Sequence, residues 1–404
     1  MPEVLAPSDL VDQEQGAPVR VGGRITNASL GELVLADAFS AVFVSLQQEL
    51  AAPIETGSLV VVDGVRRDAS IAQATIAWTD NRSGVRCEAR EHDRMLRNRV
   101  GKNLRLRAKM FGLVRAWFVD RGFLEVDTAQ RVPCPGLDLH LDAFAADGMH
   151  LITSPEFQMK RLLAAGMPRL FQVVHCFRSG EFGTWHNPEF TMLEWYRAFA
   201  DVQSVVDDTV ALLAAVAQGL TGSTTLTLGR RVIDVAPPVV RMTLCEAFDR
   251  YANVGAQDVF AWAAHDEDRY FQTLVEHVEP ALAAIDRPVL LTDYPSSQAS
   301  LARKSPTDPR VCERFELYVA GVELCNGFGE LTDPLEQRSR FEDDLQRRRA
   351  AGRPSYPLDE AFLRALEEGM PPSAGNAMGL DRLLALCLGE PGIGGVMAFP
   401  QDRL

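Results

Sequence analysis

Residues 176–196 read CFRSGEFGTWHNPEFTMLEWY, and this stretch predicts a β-hairpin. An apolar strand ends at Arg178, and Gly180 and Gly183 favour the turn that follows. An arginine at the mouth of a hairpin offers a planar fork to a phosphate or a carboxylate. A surface hairpin with an exposed arginine is the alternative. Side chains alternate along the second strand, so one face should carry Phe190, Met192, Glu194 and Tyr196.

Residues 314–333, RFELYVAGVELCNGFGELTD, predict a second hairpin, and this one carries carboxylates. Glu316 and Glu323 lie on its two strands, on either side of a turn at residues 320–321. If the hairpin is buried, these carboxylates require a cation, because an unpaired buried charge is costly. Mg²⁺ bound together with nucleotide phosphates is the usual cation at such a site. Glutamates that face solvent on an edge hairpin are the alternative.

Residues 375–382, GNAMGLDR, lead into an apolar helix. Gly379 at the start of this helix lets a planar ligand approach the backbone, and Arg382 lies on the first turn. So short a motif occurs by chance, and it gains weight only together with the two hairpins.

The composition is that of an ordinary globular protein, and a length of 404 residues favours two domains. A net charge of −14 argues against non-specific binding of nucleic acid. The seven cysteines are never spaced as CxxC, which favours a reducing compartment over disulfides or structural zinc. No apolar run approaches the roughly 20 residues that span a bilayer. We therefore expect a cytoplasmic protein without membrane contact.

The N-terminal part predicts a small all-β barrel of the OB type, although an SH3-like barrel has a similar pattern. Its five strands are predicted at 19–25, 33–36, 41–46, 59–65 and 71–78, with a short helix beginning within 46–50. We divide the chain into a flexible N-terminus (1–17), this barrel (18–82), a linker (83–99) and a catalytic domain (100–404).

The catalytic domain is predicted to be α+β with an antiparallel sheet, because neighbouring strands are joined by turns. Its strands are expected at 123–126, 151–153, 170–174, 190–196, 289–292, 315–319 and 322–326. Its helices are expected at 104–121, 157–165, 201–218, 267–285, 334–350, 358–369 and 379–389.

Taken in order, a helix followed by FLEV (123–126), the FR…HNPEFTMLEWY hairpin and GLDR resemble the signature motifs of class II aminoacyl-tRNA synthetases. Two further stretches, TSPEFQMKRLL (153–163) and ELCNGFGEL (323–331), resemble the lysyl branch. Within that branch, TSPE, LEWY and PSSQASLA (295–302) look more like the paralogues that attach lysine to elongation factor P. The resemblance covers roughly residues 100–404.

The resemblance implies an AMP-forming ligase that activates lysine or β-lysine with ATP and Mg²⁺ and transfers it to a lysine of elongation factor P. A lysyl-type ligase that charges tRNA is one alternative, and a non-catalytic synthetase-like binding module is another. A homodimer is also implied, although Ala129 replaces the proline usual in the family's dimer motif.

By the same resemblance, Arg178 and Arg382 are the catalytic residues that hold ATP phosphates. The resemblance also implies that ATP contacts Asn187, Phe190, Glu316, Leu317 and Gly379. It implies that Glu316 and Glu323 bind the metal ion. The amino-acid pocket is expected to comprise Ser154, Glu156, Glu194, Tyr196, Glu323, Asn326 and Glu330. In this scheme Glu156 receives the α- or β-ammonium. The ε-ammonium goes to Glu194, Tyr196, Asn326 and Glu330.

Three residues depart from the family pattern in the first hairpin. Ser179 and Gly180 replace the Asn and Glu of FRNE, and Thr184 replaces an arginine that reaches toward the phosphates. Altered ATP affinity is therefore expected, and Glu181 is a candidate to compensate for Gly180.

The barrel is poorly equipped to read an anticodon. Between residues 20 and 80 there are four basic and seven acidic residues, and the only aromatics are Phe39, Phe43 and Trp78. Anticodon recognition requires bases stacked on aromatic rings over a positive surface. A docking or dimer-supporting role, or a vestigial anticodon domain, is favoured.

Overall fold

The computed structural model describes residues 3–80 and 90–404, with the side chain of residue 90 excepted. The chain divides into two compact units, Met1–Leu106 and Arg107–Leu404. This boundary falls inside a helix, Val100–Val119, rather than in the linker inferred from the sequence.

The first unit contains a closed five-stranded barrel. Its strands are β1 (Pro18–Ala28), β2 (Glu32–Ala36), β3 (Ala41–Leu46), β4 (Leu59–Arg67) and β5 (Ser70–Thr79). They close in the order β1-β2-β3-β5-β4, with a parallel β3–β5 pair, as expected of an OB-like barrel. Alternate side chains such as Val21, Leu35 and Val62 fill its core. All five predicted strands are confirmed.

Two expectations for the first unit are wrong. Residues 47–58, all of them described, contain turns and bends and no helix, so the helix expected at 46–50 does not form. The supposedly flexible N-terminus contains a 3₁₀ helix, Pro7–Asp12, whose Leu10 is buried in the barrel core. Burial of this leucine orders the segment, because removing apolar surface from water offsets the loss of chain entropy.

Part of the predicted linker is helical: α1 spans Arg90–Leu96 and precedes α2 (Val100–Val119). Residues 83–89 of that linker lie outside the described residues.

The second unit is built on an eight-stranded sheet. Its strands are β6 (Leu124–Glu125), β10 (Arg169–Phe177), β11 (Glu189–Ala198), β14 (Val240–Thr243), β15 (Val289–Pro295), β16 (Val311–Val319), β17 (Val322–Gly329) and β18 (Ser373–Gly379). They lie in the order β14-β15-β16-β17-β18-β11-β10-β6. The two end pairs, β14–β15 and β10–β6, are parallel, and the five pairs between them are antiparallel. The remaining strands form two small sheets: β7 (Arg131–Val132), β8 (Ala145–Ala146), β9 (Met149–Leu151), β12 (Thr225–Leu228) and β13 (Arg231–Asp234).

Helices flank this sheet, which confirms the α+β class. They are α3 (Glu156–Ala164), α4 (Val202–Thr221), α5 (Leu244–Ala252), α6 (Ala256–His265), α7 (Glu267–Thr273), α8 (Glu279–Leu282), α9 (Pro334–Ala350), α10 (Glu360–Gly369) and α11 (Leu380–Leu388). A π-helical turn, Leu274–Val278, joins α7 to α8, so the helix expected at 267–285 is interrupted. By length and composition α4 could cross a membrane, but 10 of its 20 residues are buried, and it packs on β17 and β18 as a core helix does.

The central strand β18 was missed, because its sequence SAGNAMG is rich in small residues with low β-propensity. Its glycines have a steric purpose. A Cβ at Gly375 would lie 2.2 Å from the ring of Tyr196, so only glycine lets this strand pass beside that tyrosine.

Candidate active site

The register of the sheet brings three functional side chains onto one face. Glu194 pairs with Ala377, Ala377 pairs with Asn326, and Asn326 pairs with Glu316 across four adjacent strands. Three strand spacings separate Glu194 from Glu316, which is about 14 Å. The small side chain of Ala377 leaves the space between them open.

A cavity of about 460 Å³ lies over this face. Almost every residue expected at the site lines it: Ser154, Glu156, Arg178, Asn187, Phe190, Glu194, Tyr196, Glu316, Glu323, Asn326, Glu330, Gly379 and Arg382. Leu317 is the exception. Its side chain is fully buried and alternates away from Glu316, so only its backbone is placed to meet a ligand.

One end of the cavity is a carboxylate pocket centred on Glu194. Both oxygens of this buried carboxylate accept hydrogen bonds, from the Tyr196 hydroxyl at 2.6 Å and from the Ser154 hydroxyl at 2.7 Å. Burial, together with the nearby Glu156, raises the pKa of Glu194 to about 8. A cation bound here would reverse that shift, so the pocket is suited to an ammonium group.

A buried lysine that sequence reasoning missed completes this pocket. The Lys160 ammonium lies 2.5 Å from Glu156 Oε1 and 2.5 Å from Glu330 Oε2. Burial alone would lower the pKa of Lys160, but the two carboxylates hold it above its usual range. Glu330 is also buried, and burial raises its pKa to about 7 even though Lys160 opposes the shift. The i,i+4 spacing of Glu156 and Lys160 on α3 was the available signal.

The other end of the cavity carries Arg178 over an aromatic ring. Its guanidinium lies 5.1 Å from the centroid of Phe190, 3.4 Å from the Thr153 carbonyl and 3.8 Å from Glu181. These contacts with polar groups are long, so most of the donor capacity of Arg178 remains for an anionic ligand.

Arg382 is held more tightly. It donates to the backbone carbonyls of Trp185 at 3.0 Å and Glu323 at 2.8 Å, and its Nη2 lies 2.6 Å from His186 Nε2. Since arginine only donates, His186 accepts at Nε2 and carries its proton on Nδ1. Burial and Arg382 lower the pKa of His186, which keeps it neutral. His186 was not foreseen, because a lone histidine in a loop has no spacing signal.

Glu316 and Glu323 were expected to hold Mg²⁺, and both face the cavity. Glu316 Oε2 accepts from the hydroxyls of Tyr294 and Tyr318, and Oε1 accepts from Arg314, each at 2.7 Å. One lone pair of Oε1 remains, and 41% of the Glu323 side chain is open. This oxygen donor set fits a magnesium ion that shares nucleotide phosphates.

A third acid, Glu279, lies near this pair. Burial and the negative charges of Glu316 and Glu323 raise its pKa to about 7. Among the described residues, however, no group of three or more His, Cys, Asp or Glu side chains forms a ready metal cage. The nucleotide's own oxygens would have to complete the coordination.

Two of the motif residues brace the structure. Asn187 donates to the Glu189 carbonyl and accepts from the Gln401 backbone amide. The buried Asp381 accepts from Arg107 at 2.5 Å and from the Thr191 backbone amide at 2.7 Å. The GLDR motif therefore anchors α11 to β11 as well as presenting Arg382.

Comparison with known proteins agrees with this geometry. The model of the family "tRNA synthetases class II (D, K and N)" matches residues 83–403. The chain belongs to this family. That membership confirms the resemblance drawn from the motifs, and it assigns the mixed sheet to the catalytic domain of a class II synthetase.

Several curated relatives that resemble this chain are named elongation factor P–(R)-β-lysine ligase. The protein of Edwardsiella ictaluri is 44% identical over 320 residues, that of Proteus mirabilis 42% over 318, and that of Vibrio cholerae 40% over 316. Each alignment covers 74% of this chain and 95% of the relative. The class II family match begins after the barrel, at residue 83.

The departures from the class II pattern have structural counterparts. Gly180 has a φ of +82°, a left-handed conformation that a glutamate would adopt only with strain. Thr184 does not line the cavity, and its carbonyl accepts from the Ile393 amide at 3.0 Å. Glu181 does line the cavity, close to Arg178.

Proposed function

We propose that this class II synthetase is an AMP-forming ligase that activates lysine or β-lysine and transfers it to a lysine side chain of elongation factor P. One observation carries the proposal. A single cavity joins a pocket of three carboxylates, Glu156, Glu194 and Glu330, to two arginines, Arg178 and Arg382.

The carboxylate pocket supports a substrate with two ammonium groups. Glu156 is suited to the α- or β-ammonium, and Glu194 and Glu330 to the ε-ammonium, with Tyr196 and Ser154 orienting Glu194. A neutral isostere of lysine would leave buried carboxylates without a partner, which is the strongest basis for rejecting it.

Activation requires no side-chain nucleophile. The substrate carboxylate attacks the α-phosphate of ATP, a new O–P bond forms, and pyrophosphate leaves. Arg178 neutralises charge on the α-phosphate, Arg382 binds the γ-phosphate, and Phe190 stacks on the adenine. Magnesium, when bound at Glu316 and Glu323, would neutralise phosphate oxygens. In the second step, the acceptor amine attacks the acyl carbon and AMP departs.

A protein acceptor is supported by the names of the relatives and by the charge of the barrel. Relatives that match this chain over 95% of their own length modify elongation factor P. A barrel with an excess of three acidic residues offers little attraction to an anticodon. A tRNA acceptor is the second candidate, because the barrel has the OB strand order used by anticodon domains.

Labelled lysine distinguishes the two acceptors. With ATP and magnesium present, label should enter purified elongation factor P and not tRNA. Elongation factor P with its acceptor lysine replaced by arginine is the matched control. Label in tRNA alone would favour the second candidate. A cytoplasmic homodimer is part of the proposal on family grounds, and the oligomeric state can be measured by light scattering.

Replacing Glu181 with alanine should raise the KM for ATP about tenfold. The reason is that Glu181 takes the place of the glutamate that the family carries at position 180, where this chain has glycine. Glu189, whose side chain is exposed outside the cavity, provides the matched control as Glu189→Ala. Pyrophosphate exchange measured at varied ATP concentration gives the KM for ATP of each variant. An unchanged KM for ATP in Glu181→Ala would contradict a role for Glu181 in nucleotide binding.

A further inference from the structure

The charge balance of the carboxylate pocket is unusual. When all groups are ionised, Glu156, Glu194 and Glu330 bring three negative charges and Lys160 brings one positive charge, which leaves two negative charges. Lysine and β-lysine each carry two ammonium groups. The two ammonium groups of such a substrate would therefore neutralise the two negative charges that Lys160 leaves uncompensated.

The position of Lys160 links two of these acids. Its ammonium contacts Glu156 Oε1 and Glu330 Oε2 at 2.5 Å each, so these two oxygens lie at most about 5 Å apart. The Lys160 side chain is fully buried and lies outside the lining of the cavity. It therefore acts on a ligand only through its two partners.

A second observation concerns the free carboxylate oxygen of Glu330. The residue is 99% buried and lines the cavity. Its Oε1 has no hydrogen-bond partner in the part of the chain that the structure describes. An unpaired buried carboxylate oxygen is costly, and a substrate ammonium would remove that cost.

We propose that Lys160 is a positioning residue that pairs with Glu156 and Glu330 at once, holds the two carboxylates close together, and thereby sets the selectivity of the pocket for substrates with two ammonium groups. This inference rests on the proposed function. Without Lys160, the buried carboxylate of Glu330 would lose its cationic partner and would be repelled by the partly exposed carboxylate of Glu156.

The direction of the pH effect follows from the groups that face Glu330. They are Lys160 and Glu156 from α3, Tyr196 from β11, and Arg303 from the segment before β16. Lys160 lowers the pKa of Glu330 from within the pocket, so its removal must raise that pKa above about 7. Binding of an ammonium to Glu330 would then be weak at pH 7 and recover as the pH rises.

The test is the variant Lys160→Met, with Lys304→Met as the control. Lys304 is half-exposed, pairs with Glu336 at 3.4 Å and lies outside the cavity lining. In Lys160→Met we expect the KM for lysine at pH 7 to rise at least about 100-fold with kcat within about threefold, since only ground-state binding is lost. Between pH 7 and 9 the KM of the variant divided by that of the wild type should fall at least about tenfold. The ratio is used because the α-ammonium of lysine loses its proton over this range for both proteins alike, whereas the ε-ammonium stays charged. Calorimetric titration with lysine should show the same pH dependence.

A double variant, Lys160→Met with Glu330→Gln, keeps the test decisive if the single variant does not fold. It removes the buried charge of Glu330 together with Lys160, so its KM should be raised at every pH without the recovery that ionisation of Glu330 would bring. A pH-independent loss in the single variant, a recovery with pH in the double variant, or a KM within threefold of wild type in either one would overturn the proposal. If the wild-type protein itself shows no lysine-dependent exchange, the proposed function fails instead.

Discussion

Replacing Arg178 with alanine should lower kcat/KM for lysine-dependent ATP–pyrophosphate exchange roughly 1,000-fold, because removal of one preorganised donor typically costs 10²–10³ in rate. The guanidinium approaches the Thr153 carbonyl at 3.4 Å and Glu181 at 3.8 Å, and it braces little of the fold. The melting temperature should therefore change by only a few degrees. Steady-state exchange kinetics and a thermal melt check both expectations.

The matched control is Arg161→Ala, which removes an exposed arginine from α3. Its kinetics should equal those of the wild type. Arg178→Lys should recover only part of the loss, because an ammonium lacks the planar fork that meets phosphate and carboxylate together. A decrease in kcat/KM smaller than about tenfold in Arg178→Ala would contradict a role for this residue at the reacting centre.

Replacing Arg348 with alanine should lower the free energy of unfolding by about 3–5 kcal/mol, the usual cost of breaking a buried ion pair. This fully buried arginine donates to Asp142 at 2.6 Å and to the backbone carbonyls of Leu141 and Pro354 at 2.9 Å each. It also contacts the Asp138 carbonyl. Residues 137–141, which line the cavity, are thus tied to α9.

Urea unfolding of Arg348→Ala beside Arg349→Ala tests this prediction. Arg349 is the exposed neighbour on the same helix, and its loss should change stability by less than about 0.5 kcal/mol. At temperatures where Arg348→Ala remains folded, we expect a raised KM for lysine, because the loop over the pocket loses its anchor. Equal stabilities for the two variants would contradict the role of Arg348.

Several residues that the motifs assigned to the amino-acid pocket lie together in the structure. The resemblance assigned Ser154, Glu156, Glu194, Tyr196 and Glu330 to one pocket, and all five line the same cavity. Period-2 alternation alone placed Glu194 and Tyr196 on one face of β11, since a strand has only two faces. Their individual roles stay predictions.

Other parts of the site depend on contacts that a sequence does not display. Arg348 and Asp142 are 206 residues apart, and no local pattern joins them. The strand β18 could not be predicted from its own residues, because Gly375 is required by a neighbouring side chain, the ring of Tyr196. Sequence analysis assigned no role to Lys160, because its second carboxylate, Glu330, lies far along the chain.

The most direct test of the account is exchange of labelled pyrophosphate into ATP by the purified protein with magnesium. We predict exchange that depends on lysine or β-lysine and is at least 100-fold slower with norleucine, which lacks the second ammonium. If no lysine isomer supports exchange and the protein does not bind ATP, the account of this cavity as an amino-acid-activating site is contradicted.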